Sequence, residues 1–366
     1  MKAMAKQSGL TLVELLIAST LGLILLLGVV QLFVSSSDSF RMAESIGRMQ
    51  ESGRLAQDVM GRTIRNADYW GCARGLEMVS ALDDEDDNYD EDKHKFDDSP
   101  QALKFGVAPA SGSFVAGSDT LTLRGVSTVG ISLDGAMNNS SAVLDVTSTV
   151  GISEDEILLL TDCSDAIIFQ ATGLPGGKKI QHNTGKGDAS SGTPGNKKSG
   201  ISWSCPPGGA QGANCFPKTF QSGDIYKAYS FSYYLEEDAA TGRRSLKMET
   251  IGSNSAQEIV ADVHDMQMQV GIGDAGDNVI NSWLDVTNGN LTNINSSYVK
   301  AVRISLLVRS PEDRVARQRQ QVCFPAWTDC SSSANLWEPA DANDRHYYRV
   351  YTSTYSIRNR LLNTGT

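Results

Sequence analysis

A glycine and a glutamate five residues apart stand at the mouth of a long apolar run. Lys2 and Lys6 precede Gly9, then come Leu10-Thr11-Leu12-Val13-Glu14, and from Leu15 to Val34 the chain is almost entirely apolar. Glu14 is the only acid in that stretch. A carboxylate deep in a bilayer costs ~2.5–3.5 kcal/mol on insertion scales, so an intramembrane acid is read as functional and needs a named partner. The most available partner is a free α-ammonium group, which a cut after Gly9 creates at Leu10.

The element that must position this carboxylate is a helix. Leu15 to Val34 is 20 residues without proline or a basic residue. At ~1.5 Å per residue it spans ~30 Å, enough to cross the hydrocarbon core. Gly22 and Gly28 would permit close helix approach. Lys2 and Lys6 favour a cytoplasmic N-terminus, which places the rest of the chain outside the inner membrane. A secretory signal has a shorter apolar core followed by a small-residue cleavage site. A plain membrane anchor accounts for the run and the lysines, but not for Gly9 and Glu14 at their spacing. These residues resemble the start of a type IV prepilin. The resemblance implies that residues 1–9 are a leader, that a prepilin peptidase cuts between Gly9 and Leu10, that Leu10 becomes the methylated N-terminus, and that Glu14 is the assembly carboxylate at the fifth mature position. The family's usual first mature residue is Phe, and Leu10 stands there instead.

The chain has 366 residues, 20% charged and 40% hydrophobic, a globular composition. Its net charge of −11 lacks the basic footprint of a nucleic-acid binder. Six cysteines, Cys72, Cys163, Cys205, Cys215, Cys323 and Cys330, lie in the part expected outside the cytoplasm, where disulfides form. Six cysteines allow 15 connectivities. The expected pairing is local, Cys205–Cys215 and Cys323–Cys330, which leaves Cys72–Cys163. No zinc-like spacing of cysteine and histidine is present.

From Ser35 to about Asn66 the sequence reads as a continuation of the helix. Phe40, Ile46, Met49, Leu55, Val59, Met60 and Ile64 recur at roughly helical spacing, and arginines fill the other face. Gly47, Gly53 and Gly61 read as bends, since each costs about 1 kcal/mol relative to alanine. The expected division is an apolar half over 10–34, an amphipathic half over 35–70 that packs on the chain's own domain, and a globular domain over 71–366. Asp83 to Asp98, with ten acids, reads as an exposed loop. A calcium site there or at Asp274–Asn278 is the lesser reading, because the EF-hand order is missing. Strands are expected at Leu103–Val107, Thr120–Arg124, Ala142–Val146, Ile157–Leu160, Ala166–Gln170, around Tyr229–Leu235, and at Leu246–Ile251, Val263–Val270, Tyr298–Arg309 and Tyr347–Arg358. No helical pattern alternates with them, so antiparallel sheets and an α+β class follow. Gly173 to Gly200, rich in Gly, Ser, Lys and Asn, reads as a solvated insertion. A DNA-contacting loop is the lesser reading of its lysines.

No enzyme is expected. His94, His182, His264 and His346 stand in no hydrolase or metalloprotease motif. Within the pilin class, Glu51–Arg54 with Ile64–Cys72, Leu160–Cys163 with Ile168-Phe169, Val263–Gly271, Ala301–Arg309 and the ending Tyr347–Arg360 resemble minor pilins of the PilW type. This implies a pilin-like fold and a low-abundance pilus subunit. Its partners would be other minor pilins, the major pilin and a tip adhesin-like protein. It would sit in the inner membrane before assembly and at the pilus tip afterwards, with no cofactor and no direct nucleic-acid contact. Twitching motility, adhesion and DNA uptake would depend on it. The alternatives are a minor pseudopilin of a type II secretion system and a membrane-anchored periplasmic binding module that never polymerises.

Overall fold

Residues Leu12–Asn66 form one helix, α1, in the computed structural model, which describes residues 11–76, 78–96, 102–137, 143–185, 187–197, 218–253, 255–274, 277–286 and 298–361. No proline interrupts its 55 residues, so it runs about 80 Å. Two environments divide it. From Leu12 to Val34 its large apolar side chains are exposed, and no part of the head covers them. Ser45, Met49, Gly53, Ala56, Met60, Gly61 and Ile64 form the buried stripe of the second half.

That stripe differs from the one the periodicity suggests. Phe40 and Leu55 stay 71% and 46% exposed, and small residues take the inner face instead. The reason is the strand beneath. The last strand, β14 (Tyr348–Ser356), lays the rings of Tyr351 and Tyr355 directly on the helix backbone. A Cβ on Gly53 would fall 2.6 Å from the Tyr351 ring, and one on Gly61 would fall 2.4 Å from the Tyr355 ring. Eight helical residues rise ~12 Å and four strand residues ~13 Å, so the two glycines and the two tyrosines stay in step. Tyr355 Oη also donates to Gln57 O at 2.7 Å. Gly53 and Gly61 are therefore contact points, not bends.

Among the described residues the head contains two large sheets and one two-stranded sheet. The larger comprises β1 (Met78–Ser80), β2 (Leu103–Val107), β3 (Asp119–Ser132), β5 (Ile157–Thr161), β6 (Ala166–Gln170), β8 (Asp224–Glu237), β9 (Arg244–Thr250) and β10 (Gln257–Ala261). Its order is β1-β6-β5-β8-β3-β2, and β9 and β10 branch from β8. The branch arises because β8 is 14 residues long: Asp224–Lys227 pair with β5, and Phe231–Glu237 pair with β9 on the same edge. The second sheet, β12-β11-β13-β14, is antiparallel throughout, with β11 at Val263–Ile272, β12 at Ser282–Asp285 and β13 at Val299–Arg309. One pair departs from the antiparallel expectation: β1 runs parallel to β6. Met266, Met268, Val302, Ile304 and Leu306 of the second sheet share one core with Met49, Met60 and Ile64 of α1 and with Leu121, Leu123 and Leu246 of the first.

Two segments read as solvated are packed. Within 173–200, β7 (Lys179–Gln181) pairs with β4 (Val143–Asp145), and Ile180 joins Leu158, Leu160, Ile167 and Phe169 in a second core. Asn196 is buried, accepting from Gln170 N and donating to Gln170 O. Polar composition hid this because these polar groups satisfy one another. In the acidic stretch, α2 (Glu91–His94) buries His94, and Arg124 donates to the carbonyls of Glu91 and Asp92.

Asp119 stitches the sheets together. It is 1% exposed, and its Oδ2 accepts Met268 N at 2.5 Å, next to the place where β12 stops covering the β11 edge. Burial raises its pKa from 3.8 to about 8, and the nearby Asp265 and Asp285 add to this against the pull of the Met268 amide. The folded state therefore holds a proton that the unfolded chain has released, and this contribution is lost as pH rises from about 4 to 8. Asp119→Asn keeps the acceptor without the ionisation. Its stability relative to the unsubstituted protein should climb across that window and level off above it, as read by denaturant unfolding at a series of pH values. A pH-independent difference would contradict this. In the same assay Gly61→Ala should destabilise by ~1–3 kcal/mol through overpacking against Tyr355. Gly47→Ala, with nothing within 4 Å, should be neutral or stabilising by up to ~1 kcal/mol.

Candidate assembly site

The chemistry at the helix entrance is local. Thr11 is the N-cap of α1: its Oγ1 accepts Glu14 N at 3.3 Å. The Glu14 carboxylate reaches back, with Oε2 accepting Thr11 N at 3.0 Å and Thr11 Oγ1 at 2.9 Å. This reciprocal capping box uses donors the first helical turn otherwise leaves unpaired. It also sets the negative charge against the positive end of the helix dipole. Glu14 is thus partnered within the single chain, by a residue the reading of the apolar run passed over. The signal was in the sequence, as a Thr three residues before a Glu at the start of an apolar helix. Gly9 and Leu10 lie outside the described residues.

Beyond Glu14 the two hydroxyl side chains of the apolar half are satisfied in place. Ser19 Oγ donates to Leu16 O at 3.0 Å, and Thr20 Oγ1 lies 2.9 Å from both Leu16 O and Ile17 O. By length and composition α1 can cross a membrane. It presents lipid, or other helices of its kind, with a largely apolar surface entered by one carboxylate.

The other end of α1 is fixed by residues nearly 300 positions away. Asp68, at φ 62°, turns the chain out of the helix. Its Oδ1 accepts Trp70 Nε1 at 2.7 Å, and its Oδ2 accepts Arg360 Nε at 2.7 Å. Arg360 is 3% exposed and also donates to Val299 O. Burial pulls the guanidinium pKa down while Asp68 opposes that. The last helical carbonyls are capped from outside: Tyr229 Oη donates to Asn66 O at 2.7 Å, and Asn359 Nδ2 donates to Asn66 O and Ala67 O. Two of the sequence patches noted above, Ile64–Cys72 and Tyr347–Arg360, therefore meet at one knot. The upper helix is tied separately: Ser45 Oγ donates to Glu312 Oε2 at 2.9 Å.

Disulfides close Cys72–Cys163 and Cys323–Cys330, 91 and 7 residues apart. By chain entropy the first is worth ~4–5 kcal/mol and the second ~2–3. Cys72 follows the helix knot, so the first bridge fastens it to the β5–β6 turn. The second staples the excursion whose Phe324 packs with Leu307 and Tyr348 on the outer face of the second sheet. Cys205 and Cys215 lie outside the described residues.

The four histidines hold structural positions. His94 is buried with its Nδ1 accepting Asp90 N, and burial lowers its pKa to about 4. His264 packs edge-on against Trp337 and Tyr348, and burial lowers its pKa to about 3. His182 packs against Phe169. His346 lies beside Asp344, whose other oxygen accepts Tyr348 Oη. In the acidic stretch, Asp83, Asp86 and Asp90 each accept a backbone N–H two residues on, as turn-forming side chains do.

Residues 4–30 match the Prokaryotic N-terminal methylation motif, and residues 232–359 match Type IV Pilus-assembly protein W. The first match covers the cap and most of the apolar half of α1. The second runs from β8 through β14 and includes the tyrosines that grip the helix. The chain matches no curated protein and no solved structure. Families of this kind are structural and non-enzymatic. The two matches, joined through one helix, support a type IV pilus-related minor pilin of the PilW type.

Proposed function

We propose that this chain is a priming subunit at the tip of a type IV pilus. It is cut between Gly9 and Leu10 by a prepilin peptidase, methylated at Leu10, and held in the inner membrane by residues 10–34 with its N-terminus in the cytoplasm. It then joins other minor pilins, the major pilin and a tip adhesin-like protein, and so supports twitching motility, adhesion and DNA uptake. The observation that carries this reading is the union, in one rigid element, of an exposed apolar helix entered by a single carboxylate with a head that holds that helix through β14. The type II pseudopilin shares the leader and Glu14, and the non-polymerising anchor shares only the membrane-length run, but the match over 232–359 favours the pilus.

Assembly would exchange one partner of Glu14 for another. In the single chain the carboxylate is held by Thr11. In a bundle of such helices a neighbour's Leu10 ammonium competes for it. A full opposite charge in a low-dielectric setting attracts far more strongly than a neutral donor.

Mass spectrometry of the mature protein should find an N-terminus at Leu10 carrying a methyl group. An intact Met1 would refute the processing. Glu14→Ala should insert, be cleaved and fold, yet its recovery in sheared pili should fall sharply, with Glu14→Asp intermediate because the charge is kept and the reach shortened. Thr11→Ala separates the two roles of the carboxylate. It removes the cap, at ~1 kcal/mol of helix stability, but leaves the charge, so incorporation should stay near normal. Equal incorporation of Glu14→Ala and the unsubstituted protein would mean the carboxylate has no pairing role.

A further inference from the structure

The strand edges of the head are treated unequally. β1 has three residues and β12 four. β10 carries a register shift between Glu258 and Val260 and lies against α1. β2 has five residues, with Lys104 among them. Short, bulged, covered or lysine-bearing edges are the usual devices that stop a sheet from recruiting another strand. β14 packs one face on α1, but along its open edge, among the described residues, it has none of the other devices. It runs nine residues in unbroken register with β13, without proline, lysine or bulge.

The ladder parity says which groups are free. Ser310 N donates to Tyr347 O and Ile357 N to Lys300 O, so the odd-numbered residues of β14 bond inward to β13. The even-numbered ones turn their N–H and C=O groups outward. At one end Tyr348 N is taken by Gln320 Oε1. The outward main-chain groups of Val350, Thr352, Thr354 and Ser356 have no partner among the described residues, and the last three residues are exposed. Arg349 and Arg358 flank this edge. Both are exposed, and neither has a carboxylate partner among the described residues, in a protein of net charge −11.

We infer that β14 is a strand-addition site, and that its occupant is an extended segment of another subunit of the same pilus, carrying acidic residues toward its ends. Main-chain bonds to the four outward residues supply affinity, and the two arginines, one within β14 and one just past its end, set position and sign. This rests on the pilus reading only for the identity of the partner. Because Tyr351 and Tyr355 tie β14 to α1, the added strand would sit beside the amphipathic half of the helix.

The test is photocrosslinking in piliated cells, using full-length protein with a benzophenone amino acid at Ser356, and at Val150 as an exposed control. Ser356 should crosslink to an acid-containing stretch of another pilus subunit, identified by peptide mapping, and Val150 should not. Thr354→Pro removes an outward donor without touching the β13 ladder, so the Ser356 crosslink should disappear. Thr354→Lys, which guards the edge without altering the backbone, should lower it severalfold, as should Arg349→Glu with Arg358→Glu. Thermal melts and membrane fractionation check that each variant folds and inserts. No crosslink from Ser356 in well-folded protein, a crosslink only to a second copy of this chain, or an undiminished crosslink in Thr354→Pro would overturn the proposal. Recovery of the unsubstituted protein in sheared pili tests the pilus reading separately. A protein absent from pili that still crosslinks through Ser356 to a partner's acidic strand would sink that reading and keep the edge.

Discussion

One helix is asked to satisfy two solvents, and the contact that makes this workable is the close approach of α1 to β14. A head attached through long side chains would pivot on its stalk. Here the Tyr351 and Tyr355 rings lie on the helix backbone at Gly53 and Gly61, with the strand and helix rises in step. Two such points fix both distance and direction. The rest of the second sheet inherits its position from β14 through the β13 and β11 ladders, and its inner face then closes the core over Met49, Met60 and Ile64.

The lower end of the helix shows how an exit can be made specific. Four orphan carbonyls close every helix, and a helix end inside a protein needs donors for them. Tyr229 supplies one from β8 and Asn359 another from the short helical turn after β14, and Asp68 gathers Trp70 and Arg360 on one carboxylate. A buried ion pair of this kind is a weak source of net stability, because desolvation offsets the attraction, but removing one partner is costly. Its effect is to tie the chain's C-terminal turn to the point where the stalk ends. The Cys72–Cys163 bridge a few residues later fastens the same corner to the first sheet.

At the upper end the chemistry is simpler and more exposed. Glu14 is held by groups three residues away, so its environment is already organised before any neighbour arrives. A carboxylate so held is cheaper to keep near lipid than a bare one, and it remains able to exchange a neutral donor for a charged one. The apolar helix is broken only by small or polar residues, Ser19, Thr20, Gly22, Gly28 and Gln31, so it offers few marks to tell one neighbour from another. The head is more varied, with edges and charges that differ from place to place.

The sequence by itself determined what depends on neighbours within a few residues. The apolar length from Leu15 to Val34, the Thr11–Glu14 spacing, the alternation of β8 and the position of β6 are all local, and β6 falls at Ala166–Gln170 as its composition suggests. Six cysteines leave 15 connectivities open to the sequence, and among the described residues the bridges are Cys72–Cys163 and Cys323–Cys330. Tertiary structure alone decided the rest. Periodicity assigns Phe40 and Leu55 to the buried stripe, because hydrophobicity is a property of the residue, yet Gly53 and Gly61 are buried there because two rings from residue 351 onward need the space. The same holds for 173–197, whose polar composition reads as solvated until Gln170 and Asn196 are seen to answer each other's hydrogen bonds. It holds for Arg360 as well, a charged residue near the C-terminus whose burial depends on Asp68. Local patterns fix elements because they act through adjacent backbone. Which face is buried, and which edge stays open, depends on contacts between residues hundreds of positions apart, and these exist only once the chain has folded.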